Sequence, residues 1–375
     1  MKIKLPNEDG SWYECTVPQT KVFETSKGPF TRIAYAAAHV VPKKGSQTEV
    51  DWDATISYRH RLWNYGLGVA EAMDTAQRGM GLSYAGAQEL MKRSIEASKD
   101  VDGAFLACGC GTDQLADFTG ISLKDVINAY EEQIAYVEDL GGKIILMASR
   151  ALAAIAKSPD DYAEVYDRIL SQVSQPVLIH WLGEMFDPAL EGYWGEKSHE
   201  GAMLVVNDIM TQHHQKVDGI KISLLDKDKE VALRNMLHKS VKMYTGDDFN
   251  YAELIAGDEQ GHSHALLGIF DAIAPAASAA LRALGNGDVE EYYRIFNPTV
   301  PLSRHIFSKP TRYYKTGVVF LAWLNGFQDH FEMLDGQQTA RSKPHLVETF
   351  RLAAEAGVLV DLDLAVERVQ SFLNS

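Results

Sequence analysis

Cysteine is scarce in this chain of 375 residues: Cys15, Cys108 and Cys110 are all it has. Cys108 and Cys110 stand two apart in a strand-like run, so they share a face on which a mutual disulfide would be strained, and neither forms a zinc-type spacing. A disulfide scaffold is therefore excluded, and a reduced, cytoplasmic setting is expected. Basic runs interleaved with aromatics are missing as well. Lys and Arg total 36 against 51 Asp and Glu, a net charge of −15, so nucleic acid is not an expected partner. Long apolar runs are also lacking. The most apolar stretch, 264–284, is broken by Asp271, Pro275 and Arg282, and the first residues carry no apolar leader core, so neither a membrane span nor a membrane partner is expected. There is no HExxH, and residues 41–48 (VPKKGSQT) supply no phosphate-type glycine fingerprint.

What is present is alternation. Residues 1–30 read as a hairpin extension turning around Asn7, Glu8, Asp9 and Gly10. Strand-like runs then fall at 31–41, 69–75, 102–113, 143–149, 176–181, 219–223, 241–248 and 264–270. Amphipathic helical runs separate them. One over 122–140 is closed by Gly141-Gly142, and another begins with Ser158 as N-cap and Pro159 at the first helical position. Eight βα units with buried strands predict a (β/α)8 TIM barrel over 31–284, with helices over 285–375 packed on the barrel or on a partner subunit. An open doubly wound sheet is the alternative that the missing glycine fingerprint disfavours. The apolar segment 315–334, with Val318, Leu321, Leu324 and Phe331 in register, suits such packing and a homo-oligomer.

In a parallel barrel the working face lies at the C-terminal ends of the strands. That rule selects His39, Asp74, Thr75, Cys110, Asp113, Ser149, Arg150, His180, Lys221, Ser223, Asp247, Asp248, His262 and His264. In Gly219-Ile220-Lys221-Ile222-Ser223, alternation puts Lys221 on the face opposite the two isoleucines. A buried amine loses its proton more readily and can attack a ketone to form an iminium, an electron sink for an adjacent C–C bond; an ion pair with Asp247 is the structural alternative. His180 ends its strand facing the same way and suits proton relay, or is a core histidine. One of Asp247 and Asp248 is explained by an Asx-type turn. Trp181 and Trp194 could line a substrate, and Cys110 reads as a small barrel filler. A divalent metal held by His39, His180, His262 and His264 with carboxylates is the competing chemistry.

These segments resemble the dihydrodipicolinate synthase and N-acetylneuraminate lyase superfamily over roughly residues 31–300, the class I aldolase-like barrels. Gly219-Ile220-Lys221-Ile222-Ser223 is similar to the family's sixth-strand lysine motif, Gly246-Asp247-Asp248 to its seventh-strand turn, and Gly109-Cys110-Gly111 to its third-strand glycines. The segments Gly81-Leu82-Ser83 and 268–275 (GIFDAIAP) also match in place. Two departures stand out. The family's GTTGE, whose amides hold a 2-oxo acid carboxylate, is Asp74-Thr75-Ala76-Gln77-Arg78 here, and its fifth-strand tyrosine is His180, with no arginine following.

The resemblance implies a Schiff-base aldolase, lyase or hydro-lyase acting on a small keto acid or keto-sugar-derived substrate through an imine at Lys221, with no bound cofactor. It implies His180 as acid/base, with Thr75 orienting it or the substrate. Asp74, Asp113, Ser223, Asp247, Asp248, His39 and Trp181 are the expected substrate contacts. The other readings are a metal-dependent barrel isomerase or aldolase and a non-catalytic small-molecule-binding barrel.

Overall fold

The computed structural model describes residues 2–6, 11–16, 18, 23 and 30–374. The expected turn at Asn7–Gly10 lies outside the described residues; on either side of it β1 (Lys2–Pro6) and β2 (Trp12–Thr16) pair antiparallel, Lys2 opposite Thr16. Ile3 and Leu5, on one face of β1, are buried, and β1 packs on the helix Lys343–Ala356.

Eight strands close the barrel: β3 (Ala34–Ala37), β4 (Gly68–Glu71), β5 (Leu106–Cys110), β6 (Lys143–Leu146), β7 (Val177–Leu182), β8 (Val217–Ser223), β9 (Lys242–Thr245) and β10 (His264–Leu267). They run in chain order, all parallel, with β10 pairing back onto β3. The chain thus forms the (β/α)8 barrel that the alternation predicts. Each observed strand falls within or close to its expected segment, and most are shorter at the C-terminal end. There the chain leaves the sheet and turns across the barrel mouth: after β4, Ala72 takes φ 53° and a tight turn Asp74–Ala76 follows.

Helices such as Trp52–Asn64, Tyr84–Ser98 and Leu123–Asp139 cover the outside, opened by Asp51, Ser83 and Ser122 side chains that accept from backbone amides. Ser158 occupies the N-cap position before Pro159 but makes no side-chain cap bond; Asp161 accepts from the Lys157 amide at that end instead.

Alternation sorts the strand residues. Ile220, Ile222, Cys108 and Cys110 face the helices, so Cys110 fills the layer outside the sheet rather than the lumen. Tyr35, Ala37, Ala70, Ala107, Ile145, Leu178, Tyr244 and Leu266 fill the lumen. The three cysteines are free.

After β10 the helices Ile269–Ala272 and Ala274–Gly285 lead into five more, among them Tyr314–Leu324. This helix ends at Asn325 and Gly326, short of the 315–334 segment expected from hydropathy. Val318, Leu321 and Leu324, expected to pack on the barrel or on a partner subunit, are fully buried within this chain, on a helix that packs against Ile269–Ala272 and Lys343–Ala356. Among the described residues no helix is long and apolar enough to cross a membrane.

Candidate active site

Lys221 sits on β8 between Gly219 and Ser223 with its side chain in the lumen, and is 7% exposed. Two glycines make the room. A Cβ on Gly246 would stand 2.6 Å from Lys221 Cε and 2.7 Å from the Ile222 carbonyl, and one on Gly219 would stand 2.6 Å from the Tyr244 ring. The lysine borders a small cavity of about 20 Å³ with Asp74, Thr75, His180, Ser223, Asp248 and Tyr314, and Phe186 and Phe307 line it as well. That space suits about one water molecule.

Burial pushes the Lys221 ammonium down from its ordinary value, and the carboxylates of Asp248 and Asp74 oppose the shift. Asp248 moves the other way. Burial raises it although the Ile269 amide donates to its Oδ1 at 2.9 Å and Lys221 lies near. His180 faces Lys221 directly in the β7–β8 register. Burial, and then the neighbouring ammonium, hold it well below the usual histidine range, so the imidazole is neutral. Its Nε2 lies 3.3 Å from Ser223 Oγ, and its buried Nδ1 has no partner among the described residues.

Thr75 is in contact with a group that sequence reasoning missed. Its Oγ1 lies 2.7 Å from the Tyr314 hydroxyl, brought there by the first residue of the helix Tyr314–Leu324. The Tyr314 ring stacks on Phe307 at 4.3 Å, and its phenol is kept protonated chiefly by burial and next by Asp74. Lys315, also unforeseen, reaches back to Asp74 Oδ2 at 2.9 Å.

A second, more open cavity of about 240 Å³ adjoins the first, with Asp74 and Leu182 bordering both. Arg78, Thr112, Asp113, Arg150 and Asp187 line it. Asp113 is in this outer space, clasped by Arg78 Nη2 at 2.7 Å and Gln133 Nε2 at 2.8 Å. The Arg78 side chain holds it below the usual carboxylate range against the opposing effect of burial, which is the largest influence.

Other expected contacts lie elsewhere. Asp247 turns into its own loop, accepting from the Phe249 and Asn250 amides and from Asn250 Nδ2, so it is the aspartate of the Asx turn and Asp248 the one in the cavity. Trp181, adjacent to inward His180, necessarily faces outward, edge-on to Trp194 and His199. His39 is buried outside the cavity, its Nδ1 2.8 Å from Asp271 Oδ2 and its Nε2 3.0 Å from Gln328 Oε1. His264 opens β10 at the opposite end of the barrel, where its Nδ1 accepts from the Ile33 amide and its ring neighbours His262. The four histidines of the metal reading thus occupy three separate places. Among the described residues no three His, Cys, Asp or Glu side chains converge in a way that could hold a metal ion.

Barrel and pocket together define the class: a (β/α)8 barrel with a buried lysine on its sixth strand. The chain belongs to the family described as protein of unknown function (DUF993), whose model matches residues 3–375. It is similar in fold to dihydrodipicolinate synthase from Aquifex aeolicus, with TM-score 0.66 and 13% identity over 88% of this chain and 99% of that one. It is similar also to YagE, a prophage protein of the dihydrodipicolinic acid synthase family from E. coli K12 solved in complex with pyruvate (TM-score 0.68, 13% identity, 88% and 99% covered). The Acinetobacter baumannii dihydrodipicolinate synthase, solved with pyruvate, gives TM-score 0.64 at 16% identity over 87% and 99% of the two chains. At such identities the likeness is one of fold. A comparison with curated proteins gives no match.

Proposed function

We propose that this protein is a class I aldolase or hydro-lyase that acts on a small keto compound through an imine at Lys221. The observation that carries the reading is a buried lumen lysine whose ammonium is disfavoured, enclosed with the carboxyl of Asp248 and the neutral imidazole of His180. The free amine attacks the ketone carbon, an N–C bond forms, and the carbonyl oxygen leaves as water with the two protons the amine gives up. Once protonated, the iminium accepts an electron pair from the neighbouring C–C or C–H bond. In aldol cleavage a base removes the hydroxyl proton and the C–C bond breaks into the enamine; in dehydration an α-proton and then hydroxide are lost.

Protons are carried in a narrow, largely buried cavity. His180 Nδ1, buried and without a partner among the described residues, suits acceptance of a proton. The Tyr314 phenol, coupled to Thr75, suits donation and return. Asp248 suits steering of the Lys221 proton, since each shifts the other's protonation. Substrate is expected to enter through the outer cavity.

Borohydride trapping tests the reading. A panel of ketones is incubated with the protein and borohydride, followed by intact mass and peptide mapping. A reduced adduct on Lys221 is the expected result; no adduct from any ketone, with Lys221→Ala retaining whatever activity the protein has, would sink it.

A further inference from the structure

The two neighbouring cavities differ in the charges they offer, and that difference bears on where a substrate carries its own charge. Resting on the imine reading above, we propose that the substrate is a ketone with a neutral methyl or hydroxymethyl end in the inner cavity and an anionic group, carboxylate or phosphate, at its far end, held in the outer cavity by Arg150.

The inner cavity is unsuited to a carboxylate beside the carbonyl. Its charged neighbours besides Lys221 are two acids, Asp248 and Asp74. Two amides of the turn are bonded within it: the Ala76 amide donates to the Met73 carbonyl and the Gln77 amide to the Asp74 carbonyl. Lys315 is the nearest other cation, and its Nζ donates to Asp74 and to the Arg312 carbonyl. An acid placed there would stand beside Asp74 and Asp248, with like charge wherever these are ionised, and Lys315 is already bound to Asp74.

The outer cavity has two arginines. Arg78 is fully engaged, donating to Asp113, to Gln133 and to the carbonyls of Ala72 and Gly109. Arg150 is different. Asp187 binds it through Nε, its side chain is 43% exposed, and no bond from Nη1 or Nη2 to a described residue is present. Gly79 borders the same cavity beside Arg150. A guanidinium anchored at Nε with both terminal nitrogens available presents a fork that matches a carboxylate or phosphate. Asp74 and Leu182 border both cavities, so the spaces beside Lys221 and Arg150 are neighbours, as a substrate that reaches both requires. Asp74 and Asp113 along that path are acceptors suited to hydroxyls, which makes a keto sugar acid or a keto sugar phosphate the matching class.

The test is trapping with four probes: pyruvate, hydroxyacetone, 5-ketogluconate and fructose 6-phosphate, each titrated for the concentration giving half-maximal adduct on Lys221. The expected result is tighter half-saturation, by about tenfold or more, for one or both distal anions than for pyruvate and hydroxyacetone. Comparing the last two probes separates a carboxylate from a phosphate. Arg150→Gln should weaken the distal-anion probes about tenfold relative to hydroxyacetone, and Arg150→Lys should recover part of it. Circular dichroism melting of each variant establishes that it is folded. Pyruvate trapping as well as the distal anions, or an unchanged ratio in Arg150→Gln, would overturn this assignment and leave the imine intact. No adduct from any probe would overturn the imine reading and this one with it.

Discussion

Thr75 Oγ1 and the Tyr314 hydroxyl are 2.7 Å apart, although 239 residues separate them. The contact joins the turn after β4 to the helix that crosses the barrel mouth, and it puts a protonated phenol beside Lys221. If the pair moves protons for an imine, the step it serves comes after the covalent bond has formed. Tyr314→Phe should still form the borohydride adduct but should slow exchange of ketone α-hydrogens with D2O by about a hundredfold. Proton NMR of hydroxyacetone in D2O measures the exchange. Exchange at the wild-type rate would remove Tyr314 from the proton path.

Gly246 tests the geometry of the lysine. Its missing side chain is what lets Lys221 Cε and the Ile222 carbonyl lie where they do, each within 2.7 Å of the place a Cβ would take. The carbonyl is backbone and cannot move aside cheaply. Gly246→Ala is therefore expected to lower the melting temperature and to cut the trapping rate at least tenfold. A stable variant that traps ketones normally would show that the lysine does not need that space.

The barrel was legible because strands buried on both faces read as short apolar runs, and because the inward positions near their ends are polar. Lys221 and His180 could be placed in the lumen by counting alternate residues. The same count assigns Trp181 outward, where the structure puts it, so its expected role in the site conflicted with the alternation that placed His180 inward. Asp247 and Asp248 are adjacent in a turn, and which of them caps it depends on backbone direction, a property that composition does not carry. Tyr314, Lys315 and Phe307 were not legible at all. They reach the mouth through the packing of helices far along the chain: Lys315 meets Asp74 across 241 residues. Arg78 and Arg150 stood in view in the sequence, but only their partners distinguish the engaged guanidinium from the available one.

Beneath His39 the barrel is braced by an ion pair with no solvent contact. Arg59 donates to both oxygens of Glu71, at 2.9 and 2.8 Å, and both side chains are fully buried. Glu71 also accepts from Ser94 and from the Ala72 amide, and Arg59 donates to the His39 carbonyl. Glu71→Ala leaves the guanidinium buried without its counterion and should cost about 3–5 kcal/mol of stability. Urea denaturation followed by tryptophan fluorescence measures it. Arg59→Met combined with Glu71→Leu should recover much of the loss, because no unpaired charge remains. A loss below about 1 kcal/mol for Glu71→Ala alone would show that the pair does not brace the barrel.

The pH dependence of trapping follows from the opposed shifts of Lys221 and Asp248. Imine formation needs the free amine, so the rate rises with pH through the midpoint of Lys221. Burial lowers that midpoint from the ordinary lysine value of about 10.4. The groups facing the amine are Asp248, Asp74 and neutral His180. Both carboxylates favour the ammonium, and so hold the midpoint higher than burial alone would. Asp248→Asn removes one of them, which should move the rate curve to still lower pH while the hydrogen bond from the Ile269 amide has an oxygen to accept it. Stopped-time trapping with hydroxyacetone between pH 6 and 10 (a range of roughly four units about the expected midpoint) reads both curves. A shift of the Asp248→Asn curve to higher pH, or a wild-type midpoint at the ordinary lysine value, would show that the amine of Lys221 is not governed by its burial beside Asp248.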